Sequence, residues 1–210
     1  MSPAVAPPIS PPRRSQQERR ESTRAALLAA SLDVLMASGL AGFTTTEVCR
    51  RAELSQGALF KHFDTKAALL AAVIEHLFDE LRHDYELAFT RLSAGRRTPQ
   101  MGVELLWDQM LDPRLAAAFE LYTAARTDAD LQAALEPVVA AHVERIHALA
   151  AQLIPEIDAD RRRDIVDLAL CSMQGLVLNQ MALPDATQHR RLRALLDLIT
   201  LTLIDEPGGR

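Results

Sequence analysis

Ser55, Gln56, Ala58, Lys61 and His62 stand outward on a short helix whose inward positions are Leu54 and Leu59. Small, polar and basic side chains in that order suit a rod that enters the major groove of DNA. Base edges are read there by hydrogen bonds and apolar contact, and bulky or acidic groups would obstruct approach or repel phosphate. A second set, His76, Asp79 and His83, falls at i, i+3 and i+7 of one helical face and has the residue types of a divalent-metal site, the basis for an alternative reading as a small all-α metal-dependent enzyme. On a helix crowded with charge the same spacing equally describes solvated side chains. His142 and His147, five apart, do not share a face well. The sequence has no P-loop, no GxGxxG, no GxSxG and no HExxH. Cys49 and Cys171 match no metal-ligand or CxxC spacing and read as buried free thiols. Neither catalytic residues, a metal nor a cofactor is expected.

Holding that rod in place needs a turn and a helix before it. Thr44 can cap a helix with its hydroxyl while Glu47, three residues on, reaches back to complete a capping box. Val48, Cys49 and Ala52 point inward from it, Glu53-Leu54 form a tight turn, and Ser55 caps the outward rod, which runs to about His62. A longer helix precedes them from near Glu18 to Ala37, with Ala26, Leu27, Ala30, Leu32, Val34 and Leu35 on its apolar face and Ser38-Gly39 closing it. Three helices so arranged, the second and third joined tightly, make a helix-turn-helix.

Asp64 or Thr65 caps a fourth, long helix bearing Leu69, Leu70, Val73, Leu77, Leu81 and Leu87, which links two halves of the chain. Further helices are expected over 100–111, 113–127, 129–153, 160–182 and 187–204, with Pro137 marking a kink or the first turn of a separate helix. No segment alternates as a strand does, so the fold class is all-α. The expected divisions are a disordered Pro-rich tail over 1–15, a helix-turn-helix head over 16–65, and a helical ligand-binding and dimerisation body over 66–210.

The 210 residues, 49% of them hydrophobic, suffice for a core without staples. A net charge of −5 argues against a protein that coats nucleic acid indiscriminately. The charge is uneven: Met1 to Lys66 carries +3 and the remainder −8, which fits a phosphate-facing module on an acidic body. The start lacks a signal peptide, and Ala25 to Phe43, interrupted by Asp33 and by Ser and Gly, falls short of a membrane span, so a cytoplasmic setting with no membrane partner is expected.

Phe43-Thr44, Val48, Ala52-Glu53-Leu54-Ser55, Gly57, Leu59-Phe60, His62-Phe63 and Lys66 together resemble the N-terminal signature of the TetR family of bacterial regulators, over about Arg20 to Leu70. The resemblance implies an all-helical homodimer that binds a near-palindromic double-stranded operator and is released, as a repressor, by a small-molecule effector. It implies that Thr46 and Gln56, Gly57, Ala58, Lys61 and His62 face the groove, that Lys66 contacts phosphate, and that Arg20 and Arg24 are further phosphate candidates. Two residues depart from the family's pattern. Glu53 stands where glycine is usual, a steric cost if the backbone there is left-handed. Phe60 replaces a tyrosine that donates its hydroxyl to phosphate, so it is expected to pack, or to touch sugar apolarly.

In the body, Ile165, Leu168, Ala169, Ser172, Met173 and Leu176 repeat at spacings of 3 and 4, as do Leu192, Leu195, Leu196, Ile199 and Leu203. Two such hairpins face to face would make a four-helix bundle across a two-fold axis, and the alternative is packing within one chain. Phe78, Trp107, Met110, Phe119, Tyr122, His142 and Met173 are candidates to line a cavity for a small apolar or amphipathic effector. A helical protein-interaction adaptor without DNA binding is the other alternative, which Glu53 and Phe60 keep open.

Overall fold

The computed structural model describes residues 15–205 other than 94, 96 and 97. The expected tail, with Arg13 and Arg14, lies outside the described residues except for Ser15. Among the described residues the elements are all helical: α1 (Gln16–Gly42), α2 (Thr45–Ala52), α3 (Gln56–Phe60), α4 (Lys66–Arg91), α5 (Pro99–Met110), α6 (Leu115–Ala125), α7 (Ala129–Leu153), α8 (Ala159–Ala182) and α9 (Ala186–Asp205).

Local chemistry sets the boundaries. Ser15 and Glu18 form a reciprocal capping box that starts α1 two residues earlier than expected. The box expected at Thr44 is only half made: Thr44 Oγ1 accepts from the Glu47 N–H at 3.1 Å, but the Glu47 carboxylate turns to Arg50 and Arg51 instead of reaching back. Pro137 does not start a separate helix: it lies inside α7, which runs on through it, and the residue is exposed. Cys49 is buried as expected. Cys171 is exposed, on a face of α8 left open by the described residues.

The head packs α1, α2 and α3 around Leu27, Val34, Phe43, Val48 and Leu59, all buried, and α4 closes this core with Leu69, Leu70 and Val73. The same helix continues into the body, where Ile74, Leu77 and Phe78 face α7, so one apolar cluster runs through head and body. By length and hydropathy α1 does reach the range of a membrane span, contrary to the expectation for Ala25 to Phe43, with a mean hydropathy of 1.7 over its most apolar window. Its Leu27, Leu28, Val34 and Leu35 are nevertheless committed to the head core.

Among the described residues, two backbone positions have positive φ. Gly39 (φ 62°, ψ −177°) breaks α1 one turn before its end, in an extended region open essentially to glycine alone, and the helix expected to close at Ser38-Gly39 resumes to Gly42. Opposite it, a carboxylate oxygen of Glu120 on α6 accepts from the Leu40 N–H at 2.8 Å and ties the end of α1 to the body. Glu53 (φ 55°, ψ 38°) ends α2 in the left-handed helical region, so the cost foreseen for a side chain there is incurred. We expect Glu53→Gly to stabilise the chain by up to about 1 kcal/mol, the relief of left-handed strain less the extra chain entropy of glycine. The urea midpoint checks this; a lower midpoint for the variant would refute it.

Candidate nucleic-acid interface and body cavity

The surface of the head is built on two caps. Thr44 Oγ1 accepts from Glu47 N–H and Ser55 Oγ from Ala58 N–H, each at 3.1 Å. Because each hydroxyl acts as acceptor toward its own helix, its proton stays available to donate outward. The turn at Glu53 then sets α3 against α2 with Val48 and Leu59 fully buried between them. Gln56 Nε2 donates to Thr46 Oγ1 at 2.8 Å, joining the outer sides of the two helices.

Gln56, Gly57, Phe60 and Lys61 are exposed along one side of α3 and its final turn, while Ala58 and His62 are half-buried. Phe60 is 47% exposed, so it is not committed to the core. A Cβ on Gly57 would meet only Ser55 Oγ at 3.9 Å, so crowding within the chain does not explain glycine there.

Charge around this surface is arranged in the same sense. Glu47 is pulled down to about 2 by hydrogen bonds from Arg50 and Arg51, so its negative charge is locally answered by two guanidinium groups. Burial, then the neighbouring Arg20 and Arg24, depress the His62 imidazole, which is therefore neutral at pH 7 with one nitrogen to donate and one to accept. Arg24 also lies 5.5 Å from the centroid of the Phe63 ring. Lys66, at the start of α4, donates from Nζ to the Phe43 carbonyl at 2.9 Å and sits 5.3 Å from the Phe43 ring centroid. That bond uses one of three ammonium protons. Sequence reasoning passed over the Glu47–Arg50–Arg51 cluster, although spacings of 3 and 4 from a carboxylate were visible.

The body contains a cavity of ≈ 130 Å³ among α4, α5, α7, α8 and α9, with Leu115 at the start of α6 also in its wall. Of the residues expected to line it, Met110 and His142 do. Phe78 lies behind His142, stacked on it at 3.8 Å between ring centroids. The others are corrected: Trp107, Phe119 and Met173 are buried core elsewhere, and Tyr122 meets Phe119 edge-on, away from the cavity. Trp107 joins α5 to α9, donating from Nε1 to Asp197 at 2.7 Å, beneath the Arg193 guanidinium. His142 is held down to about 4 by burial, then by Arg145 and Arg82, with Asp79 opposing. Sequence reasoning missed Arg82, Tyr85 and Arg145 in the wall. Asp79 accepts from Arg82 and Arg145, His76 Nε2 lies 3.4 Å from a Glu80 carboxylate oxygen, and His83 is exposed, so the three residues weighed as metal ligands face different partners.

The α8–α9 hairpin divides the stripe read from its sequence. Ile165, Ala169, Met173 and Leu196 are buried inside the chain, correcting their place in an interface. Ser172, Leu176, Leu192 and Leu203 are half-buried. Leu168, Leu195 and Ile199 are about half exposed, and Leu178 and Leu198, not foreseen, extend the same outer face together with Cys171 and Gly175.

Comparison with known proteins places these features in a family. The profile described as "Bacterial regulatory proteins, tetR family" matches residues 27–73. An uncharacterized HTH-type transcriptional regulator of Mycobacterium tuberculosis is 30% identical over 194 residues, covering 90% of this chain and 99% of that protein. The HTH-type transcriptional regulator CymR of Pseudomonas putida is 29% identical over 187 residues, covering 88% and 92%. Among solved structures, a transcriptional regulator from Rhodococcus has the same fold at a TM-score of 0.67, with 23% identity over 86% of this chain and 95% of that one. The multidrug binding protein EbrR, solved with imidazole, superposes at 0.66 with 22% identity, covering 89% and 97%.

Proposed function

We propose, from the premise that this chain belongs to the TetR family of bacterial regulatory proteins and is a DNA-binding transcriptional regulator, that it works in the cytoplasm as a homodimeric repressor released by a small apolar or amphipathic effector. The observation that carries the reading is the outer side of α3, where Gln56, Gly57, Phe60 and Lys61 are exposed while Leu59 anchors the helix beneath them. Thr44, Thr46, Ser55, Ala58 and His62 complete the groove-facing set. The family is one of regulators, and catalysis has no part in that role.

A second copy docks on the exposed outer face of α8 and α9, so that two heads read a near-palindromic site with half-sites one or more DNA turns apart. The link between cavity and head is physical. On α4, Leu81, Arg82 and Tyr85 are in the cavity wall and Lys66 grips Phe43 at the other end. On α6, Leu115 is in the wall and Glu120 holds Leu40. A ligand that fits one spacing of the heads better than the other shifts their population, with a coupling of about 1–3 kcal/mol.

Electrophoretic mobility shift with the DNA flanking the protein's own gene tests the reading. A specific, salt-sensitive complex is expected, and failure to retard any of that DNA would favour the protein-interaction adaptor. With an operator in hand, Lys66→Ala should lessen the slope of log K against log salt by about 1.8 for the dimer, about 0.9 for each of the two phosphate ligands removed. An unchanged slope takes Lys66 out of the DNA-binding set and leaves it as the clamp on Phe43. Phe60→Tyr places a hydroxyl on a ring already at the surface, and operator affinity should hold or rise. A large drop in a binding titration would show that the bare ring itself is required.

A further inference from the structure

The cavity in the body sorts its lining by polarity. Its buried part is aliphatic, with Ile154, Ile165 and Ala169 almost without exposure. At its exposed part stand Arg82 and Arg145, with side chains 31% and 42% exposed. Among the described residues they are the charged ones in the lining, which includes no carboxylate. The acids that hold them, Asp79 and Glu86, lie outside the lining. One Asp79 oxygen accepts from Arg82 at 3.0 Å and from Arg145 Nη1 at 2.9 Å, which draws the two guanidinium groups together, and Glu86 accepts from Arg82 at 3.3 Å. At His142, itself in the wall, burial and then Arg145 and Arg82 lower the imidazole, with Asp79 the smaller, opposing influence.

We propose that this cavity binds a small organic carboxylate, with its apolar body in the buried part and its carboxylate at the Arg145–Arg82 mouth. The inference rests on the reading of the cavity as the effector site and gives that effector a chemical class. A planar guanidinium binds a carboxylate through paired, charge-assisted hydrogen bonds, whereas an amine would meet like charge and an alcohol would gain only a neutral bond. The volume, near that of a cavity known to hold a benzene ring, limits the body to roughly one ring or a chain of about six to eight carbons.

Calorimetric titration of the full-length protein at pH 7.5 with heptanoate, 1-heptanol and heptylamine, three heads on one tail, is the test. Heptanoate should bind at least about tenfold more tightly than heptanol, and heptylamine most weakly. Arg145→Met should erase the advantage of the acid and leave the affinity for heptanol within about twofold, and Arg145→Lys should keep part of it. Because heptanol reports an intact cavity, it separates a missing anion site from a damaged fold. Equal affinity for acid and alcohol, preference for the amine, no binding of any of the three, or an acid advantage that survives Arg145→Met would each overturn the assignment. Operator affinity measured with and without heptanoate is a separate readout: an acid that binds as described without loosening DNA leaves the carboxylate site standing and removes the release mechanism.

Discussion

Leu198→Asp is expected to leave the protein monomeric at micromolar concentration and to weaken its hold on a two-half-site operator by at least about a hundredfold. Leu198 is 63% exposed on α9, amid Leu195 at 55% and Ile199 at 50%, an apolar face that the described residues leave uncovered. If a second copy covers this face, the two-fold axis buries the new carboxylate twice, and an unpaired buried charge costs several kcal/mol. The loss to DNA binding is amplified by linkage. Joined heads bind their second half-site at an effective concentration in the millimolar range, worth roughly 10²–10⁴ in affinity over a single head, and a monomer forfeits that gain. Sedimentation equilibrium and an operator titration on the same preparation decide the matter. A variant that stays dimeric, or a monomer that binds the full operator normally, would show that the outer face of the hairpin is not the interface.

Gly39→Val is expected to be the more damaging change to the fold, lowering stability by about 2–4 kcal/mol. The backbone there (φ 62°, ψ −177°) admits almost nothing but glycine, at a cost of about 1–3 kcal/mol for another residue, and a β-branched side chain is the least tolerant. Crowding adds to this: a Cβ would stand 2.9 Å from a Glu120 carboxylate oxygen, the atom that accepts from Leu40 N–H. Relief of the clash pushes Glu120 off the backbone, so α1 loses its tie to α6 and the head its angle to the body. Glu120→Gln is the companion variant, since an amide oxygen keeps the acceptor and adds no bulk. Denaturant midpoints should fall steeply for Gly39→Val and little for Glu120→Gln. A valine variant as stable as the parent would mean that the α1 end has room to rearrange.

What could be read in the amino-acid order was what depends on near neighbours. The limits of α7 agree with the reading because a capping aspartate at Asp128 and a proline at Pro155 bracket it. The outward side of α3 was legible because Ser55 fixes the start of the helix and Leu59 its inner side within five residues. The Ser15–Glu18 box was equally local and was missed for want of an apolar run immediately after it. The α8–α9 face was a different matter. Apolar residues occur on nearly every side of α8, so periodicity alone cannot separate Met173, which faces inward, from Leu168 and Leu178, which face outward. The cavity was the least legible feature. Choosing large aromatic and sulfur-bearing residues selects those that fill space, such as Trp107 and Met173, and not those that surround an unfilled one. Its charged mouth joins Arg82 to Arg145 through Asp79, a pairing across 66 positions that no local pattern announces.

The packing of Trp107 between α5 and α9 also decides what light can report. It is the sole indole of the chain, and both phenols, Tyr85 and Tyr122, are likewise in the body, whereas the head offers only Phe43, Phe60 and Phe63. Near-ultraviolet emission is therefore blind to the grip on DNA itself and sees only what travels down α4 and α6. A change in that emission on adding operator would register long-range communication directly, without any label.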